Sequence, residues 1–144
     1  TTVLFFESIL APPSEFAFHC KPPHLKEARG FAEQWAKHAA LNEEDVGLVV
    51  LACDEVLTNI CRHAYSETGG PVRLEAKVSS ENLEFTIEHS GDGMTNADLP
   101  NPCDETEPTA GGMGLGVICS VFDDVNFDSY PEFSRITLTK ALAC

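Results

Sequence analysis

Basic residues are scarce in this chain: 9 Lys and Arg stand against 23 Asp and Glu, a formal charge of -14 at pH 7. Nucleic-acid binding depends on many cationic contacts to phosphate, so this imbalance argues against a nucleic acid or an anionic membrane surface as partner. A single nucleotide is not excluded, because helix N-termini, glycine amides and Mg2+ hold phosphates without a basic surface. Long apolar runs are lacking too, with nothing approaching the roughly 20 residues that a membrane-crossing helix needs. The six cysteines, at 20, 53, 61, 103, 119 and 144, contain no C-x-x-C pair and no His spacing that suggests zinc. Cys53 and Cys61 fall on the apolar side of a predicted helix, where cysteine acts as a small hydrophobe, so reduced thiols are expected. The opening T-T-V-L-F-F-E-S has neither the basic region nor the small-residue cleavage site of a signal peptide. A cytoplasmic protein is the expectation.

What is present is the composition of a soluble globular chain, 43% hydrophobic and 22% charged over 144 residues, enough for one domain spanning 1-144. Two short β-like runs, Val3 to Glu7 and Glu15 to His19, flank the breaker Ala-Pro-Pro-Ser. Leu25, Ala28, Phe31, Ala32, Trp35 and Ala39 then recur with helical period. Asn42, followed by three acids, is a predicted N-cap for a second helix reaching toward Ser66. Val72 to Val78 and Leu83 to His89 alternate apolar and polar about a short polar turn, which predicts a hairpin. The stretch Met94 to Ala110, with three prolines and four acids, reads as a lid or loop. A short helix led by Gly111 to Gly116 and a final hairpin, Val125 to Asp128 and Arg135 to Leu142, complete the chain. This order predicts an α+β fold, a two-layer sandwich.

The second helix carries the most informative pattern. Val46, Val49, Val50, Cys53, Val56, Leu57, Ile60 and Ala64 form a wide apolar stripe. Glu55, Asn59 and His63 lie four apart along one flank of it. A carboxylate there can accept a hydroxyl proton, and an amide oxygen one turn later can hold a hard cation; standing alone, the pair is better explained by a solvated helix flank. On the second hairpin strand, alternation places His89 with Leu83, Phe85 and Ile87 and turns Glu88 to the other face. Ser90-Gly91-Asp92-Gly93 follows it. Gly112-Met113-Gly114-Leu115-Gly116 sets backbone amides at a helix start, where the dipole favours an anion.

Taken in order, Glu55-x-x-x-Asn59-x-x-x-His63, the glycines after a strand, and Gly112 to Gly116 resemble the three boxes of the GHKL ATPase superfamily, and within it the small bacterial anti-sigma-factor serine/threonine kinases. The resemblance implies the Bergerat fold, a mixed sheet with helices on one face. It also implies ATP and Mg2+ as ligands, Glu55 as general base, and Asn59 as the Mg2+ ligand. Nucleotide contacts fall on Asn59, His63, His89, Gly91, Gly93, Gly112, Met113, Gly114, Leu115 and Gly116. By the same resemblance the partners are a sigma factor and an anti-anti-sigma protein of the STAS type, the activity regulates transcription, and a homodimer is compatible with it. The chain departs from the family at one position: the second box normally begins with Asp, which accepts from the adenine amino group, and here His89 stands in its place. A degenerate domain that binds protein with weak nucleotide affinity or none is the alternative expectation.

Overall fold

The computed structural model describes residues 12–65, 69–90 and 113–142. After β1 (Glu15–His19), a 3-10 turn (Pro22–His24) leads into α1 (Leu25–His38), followed by α2 (Glu43–Asn59) and a π-helical turn (Ile60–Ala64). Then come β2 (Pro71–Val78), β3 (Asn82–His89), α3 (Met113–Val121), β4 (Asp124–Ser129) and β5 (Ser134–Ala141). The strands make one sheet in the order β1-β2-β3-β5-β4. The expected run Val3 to Glu7 lies outside the described residues.

The two-layer α+β sandwich is as expected, and its layers follow from the two hydrophobic periods. Leu74, Leu83, Phe85, Ile87, Ile136 and Leu138 point inward from the strands and are buried. Leu25, Ala28, Phe31, Ala32, Trp35 and Ala36 of α1, with Val46, Val49, Ala52, Cys53, Val56 and Leu57 of α2, face them from the helix layer. All belong to one continuous core. On the outer face the same alternation puts charges opposite one another: Arg73 faces Glu88, Lys77 faces Glu84 and Glu88 faces Arg135 in the register. These pairs close at 3.5, 3.1 and 2.7 Å. Cross-strand pairs of opposite sign help fix the register but leave this face polar.

Two expectations are corrected here. The sheet expected to be mixed is antiparallel in every pairing among the described residues. β4 does run parallel to β3, but β5 lies between them, so the parallel pair never shares a ladder. The cysteines expected to be reduced are not all so. Cys20 and Cys61 form a disulfide with their Cα atoms 5.4 Å apart, and Cys119 is also disulfide-bonded. Among the described residues only Cys53 is free, and it is buried. The helix spacing correctly gave Cys61 an apolar setting but carried no information on which strand end meets it.

Local signals explain the boundaries. The Asn42 side chain accepts from the Asp45 N–H at 2.8 Å, capping α2 as its sequence predicts, with Glu43, Glu44 and Asp45 in the first turn. At its other end α2 passes into the π-helical turn and stops at Tyr65, which is extended. The Tyr65 hydroxyl donates to the Pro71 carbonyl and accepts from the Ser90 N–H at 2.8 Å. One side chain thus joins the end of α2 to the start of β2 and the end of β3. Its ring lies so close over Gly70 that any Cβ there would collide with it. Gly70→Ala should therefore destabilise the protein by about 1–3 kcal/mol, the usual range for overpacking. Chemical denaturation measures this, and an unchanged midpoint would contradict the clasp.

Candidate functional site

The helix carrying Glu55 and Asn59 is held against the sheet by its apolar stripe and against α1 by an Arg29–Asp54 pair at 3.1 Å. Both residues lie near the C-terminal end of α2, one turn apart and half-buried. Neither takes part in the ion pairs among the described residues. A carboxylate and an amide oxygen are thus presented together on one flank. His63 falls in the π-helical turn, where the phase of an α-helix no longer holds, and its side chain is outside the described residues.

His89 ends β3 and faces inward, 4% exposed. Its ring meets that of Tyr65 edge-on, with centroids 6.2 Å apart. The His89 Nδ1 is buried without a hydrogen-bond partner, and burial holds the imidazole below its ordinary value near 6.5. A neutral ring with an unpaired nitrogen is a hydrogen-bonding position left open, since native proteins pair nearly all such atoms. Glu88, the neighbouring carboxylate, cannot serve there, because it faces the outer side and is held by Arg135 at 2.7 Å. A cavity of about 580 Å³ opens at this end of the sheet, lined by Phe18, His19, Val72, Arg73, His89 and Phe133 among others. Neither Glu55 nor Asn59 borders it.

The third group of predicted residues is displaced from its expected conformation. The helix was expected to follow the glycine motif, but α3 begins within it, so Met113, Gly114, Leu115 and Gly116 form its first turn. Packing explains the shift. Ile118, Val121 and Phe122 are buried, and anchoring them draws the helix back through glycines whose intrinsic preference opposes it. The amides of that turn have no partners within the helix, and no acidic side chain sits among its residues to compete for them. A Cβ added at Gly116 would meet nothing within 4 Å, leaving room over the helix end. α3 packs against α2, so this amide-rich end and the Glu55 helix belong to the same layer. Gly91, Gly93, Gly112 and the expected lid, residues 95–110, lie outside the described residues. The double hydrogen-bonding role of Tyr65 has no signature in the sequence pattern and was missed. The same is true of the disulfide at Cys61.

A helix-backed antiparallel sheet with a carboxylate and an amide on one helix and a glycine-rich helix start beside it defines a class, and the family comparison agrees. The histidine kinase-like ATPase domain matches residues 18–140, and the chain belongs to that family. It is similar to the anti-sigma F factor of Bacillus velezensis, 33% identical over 94 residues that make up 62% of this chain and 64% of the relative. The chain thus matches under two thirds of that relative's length. It is also similar to the serine-protein kinase RsbW of Listeria innocua, 27% identical over 131 residues, 83% of this chain and 81% of the relative. Among solved structures, a Mycobacterium tuberculosis chain with RsbU and RsbW domains superposes with TM-score 0.60 at 13% identity, over 90% of this chain and 32% of that one. A chain of the SiaB-SiaC complex from Pseudomonas aeruginosa gives TM-score 0.58 at 13% identity, over 96% of each. At such identities the structural likeness speaks to the fold, which is the one the three boxes implied.

The buried imidazole gives this site a pH signature. His89 binds its proton more weakly in the folded state than in the unfolded one, so its contribution to stability is full above about pH 6.5 and is lost as pH falls below that value. Thermal unfolding followed from pH 7.5 to 5 should show this fall in wild type and a smaller one in His89→Gln. Parallel curves would contradict a neutral buried histidine.

Proposed function

We propose that this chain is an anti-sigma-factor-type serine protein kinase, a single ATPase domain over 1-144 that acts in the cytoplasm on an anti-anti-sigma partner of the STAS type and binds a sigma factor. The observation that carries this reading is the pairing of Glu55 with Asn59, half-buried on one flank of α2 and outside every ion pair of the described residues. The kinship with anti-sigma F factors and with a serine-protein kinase supports it.

The donor atoms present suit the ligands this reading requires. Among the described residues no group of three or more His, Cys, Asp or Glu could cage a metal. Mg2+ commonly takes only one or two protein oxygens and completes its shell with phosphates and water, which suits a lone amide such as Asn59. Bound there, the ion would neutralise charge developing on the phosphates. The open Nδ1 of His89 suits the edge of a purine base. The first-turn amides of α3 suit phosphate oxygens.

In this mechanism Glu55 accepts the proton of the partner's serine hydroxyl while that oxygen bonds to the terminal phosphorus and the bond to the leaving diphosphate breaks. The α3 amides donate to the phosphate oxygens as charge builds there. A protein-binding module with weak nucleotide affinity or none is the second reading, and His89 favours it, because a neutral imidazole offers one acceptor where the family has a carboxylate.

Glu55→Gln should leave nucleotide affinity within a few fold and lower phosphotransfer by about 10^2 or more. Asn59→Ala should instead weaken Mg2+-dependent nucleotide binding. Binding assays with and without chelator, run beside a phosphotransfer assay, separate the two roles. Equal loss of binding and turnover in Glu55→Gln would assign that residue to structure.

A further inference from the structure

The disulfide lies next to the proposed site. Cys61 is the second residue of the π-helical turn that starts directly after Asn59. Such turns interrupt the regular helical ladder and recur where function needs a local adjustment. Cys20, just past β1, is held by its backbone: its N–H donates to the Gly70 carbonyl at 2.7 Å. Its own carbonyl would lie 2.6 Å from a Cβ at Gly69, which has φ +75. The Cys20 end is therefore rigid, and the bond ties the residue two beyond Asn59 to it. Opening the bond leaves the π-helical turn fastened by the buried Ile60 side chain and by Tyr65 through its contacts with Pro71 and Ser90.

The two cysteines also differ in exposure. Cys20 is 3% exposed, whereas Cys61 is only half-buried. Cys53, two turns earlier on α2, is fully buried, and burial pushes its thiol far up, so it stays protonated and inert. The geometry thus provides one half-buried cysteine, one buried partner behind it and one silent thiol nearby. In the cytoplasm, where the proposed function places the chain, disulfides are as a rule transient and regulatory.

We propose that Cys20 and Cys61 are a thiol–disulfide modification site whose substrates are low-molecular-weight thiols and disulfides of the glutathione type, and that its redox state controls the end of α2 that carries Asn59. In the oxidising direction the Cys61 thiolate attacks a small disulfide, forming a mixed disulfide and releasing one small thiolate. The Cys20 thiolate then attacks the Cys61 sulfur, the bond to the small molecule breaks and a second small thiolate leaves. Two protein thiols lose two electrons and two protons, and one small disulfide is reduced to two thiols. Reduction is the reverse, with Cys61 the sulfur first exposed to attack.

The test uses the full chain in buffers stepped from oxidised to reduced glutathione. Alkylation and mass spectrometry report the Cys20 and Cys61 thiols, and hydrogen exchange follows residues 57–65. The bond should open and close reversibly within that range, and exchange over 57–65 should rise about tenfold or more in the reduced protein. Cys20→Ser with Cys61→Ser should show the fast exchange at every buffer composition. Cys20→Ala with Cys61→Val serves if the serine pair does not fold. The Cys119 disulfide meets the same buffers in every protein, so any effect of its own reduction appears in the double variant as well. A bond that glutathione never reduces, or one whose reduction leaves exchange over 57–65 unchanged, overturns the proposal. The consequence for ligand binding rests on the proposed function: ATP affinity should fall about tenfold on reduction of wild type and should not respond in the double variant. Equal ATP affinity in the two redox states overturns the control assigned to the bond. If neither state binds ATP, the kinase reading fails, while thiol count and exchange still decide whether the switch exists.

Discussion

Everything proposed for this chain depends on how the C-terminal end of α2 is fastened over the sheet. The buried stripe of Val49, Cys53, Val56, Leu57 and Ile60 fixes the rotation of the helix, and that rotation sets Glu55 and Asn59 together on one half-buried flank. Past Asn59 the fastening changes character. The Cys20–Cys61 bond and the Tyr65 hydroxyl hold the π-helical turn to the end of β1, the start of β2 and the end of β3. His89 reaches the same junction from β3, packing its ring against Tyr65. The covalent tie and the Tyr65–His89 contact thus gather just past Asn59, with Glu55 one turn back along α2.

Much of this was legible in the sequence because it is periodic. The 3.6-residue repeat of α2 and the two-residue alternation of the strands gave the helix and strand elements, the inward His89 and the outward Glu88. The Asn42 cap was legible for a chemical reason, since its side-chain oxygen satisfies an amide that the helix cannot. What the sequence did not disclose was long-range or set by competition. Cys20 and Cys61 are 41 residues apart, and no local pattern announces that a strand end and a helix end will meet. The start of α3 inside Gly112 to Gly116 was misjudged because glycine disfavours helix locally, while burial of Ile118 and Phe122 decides the matter. The antiparallel character of the pairings depends on β5 inserting between β3 and β4, which no single strand encodes.

The charge balance narrows the kind of partner such a site can serve. With -14 formal charges, the chain suits a protein partner whose docking surface is neutral or basic. Phosphates would be held by oriented amides and one metal ion rather than by lysines. That arrangement is economical in charge but sensitive to position, because amides at a helix end act within about one turn. It gives a physical reason for a chain of this kind to hold its helix ends tightly.

The most direct test of the account is a calorimetric titration of wild type and His89→Asp with ATP and GTP, each with and without Mg2+. The account predicts Mg2+-dependent ATP binding in wild type. His89→Asp, which supplies a carboxylate acceptor at the open Nδ1 position, should tighten it by about ten- to a hundredfold, the worth of one buried charged hydrogen bond. Failure of both proteins to bind either nucleotide at millimolar concentration would contradict it.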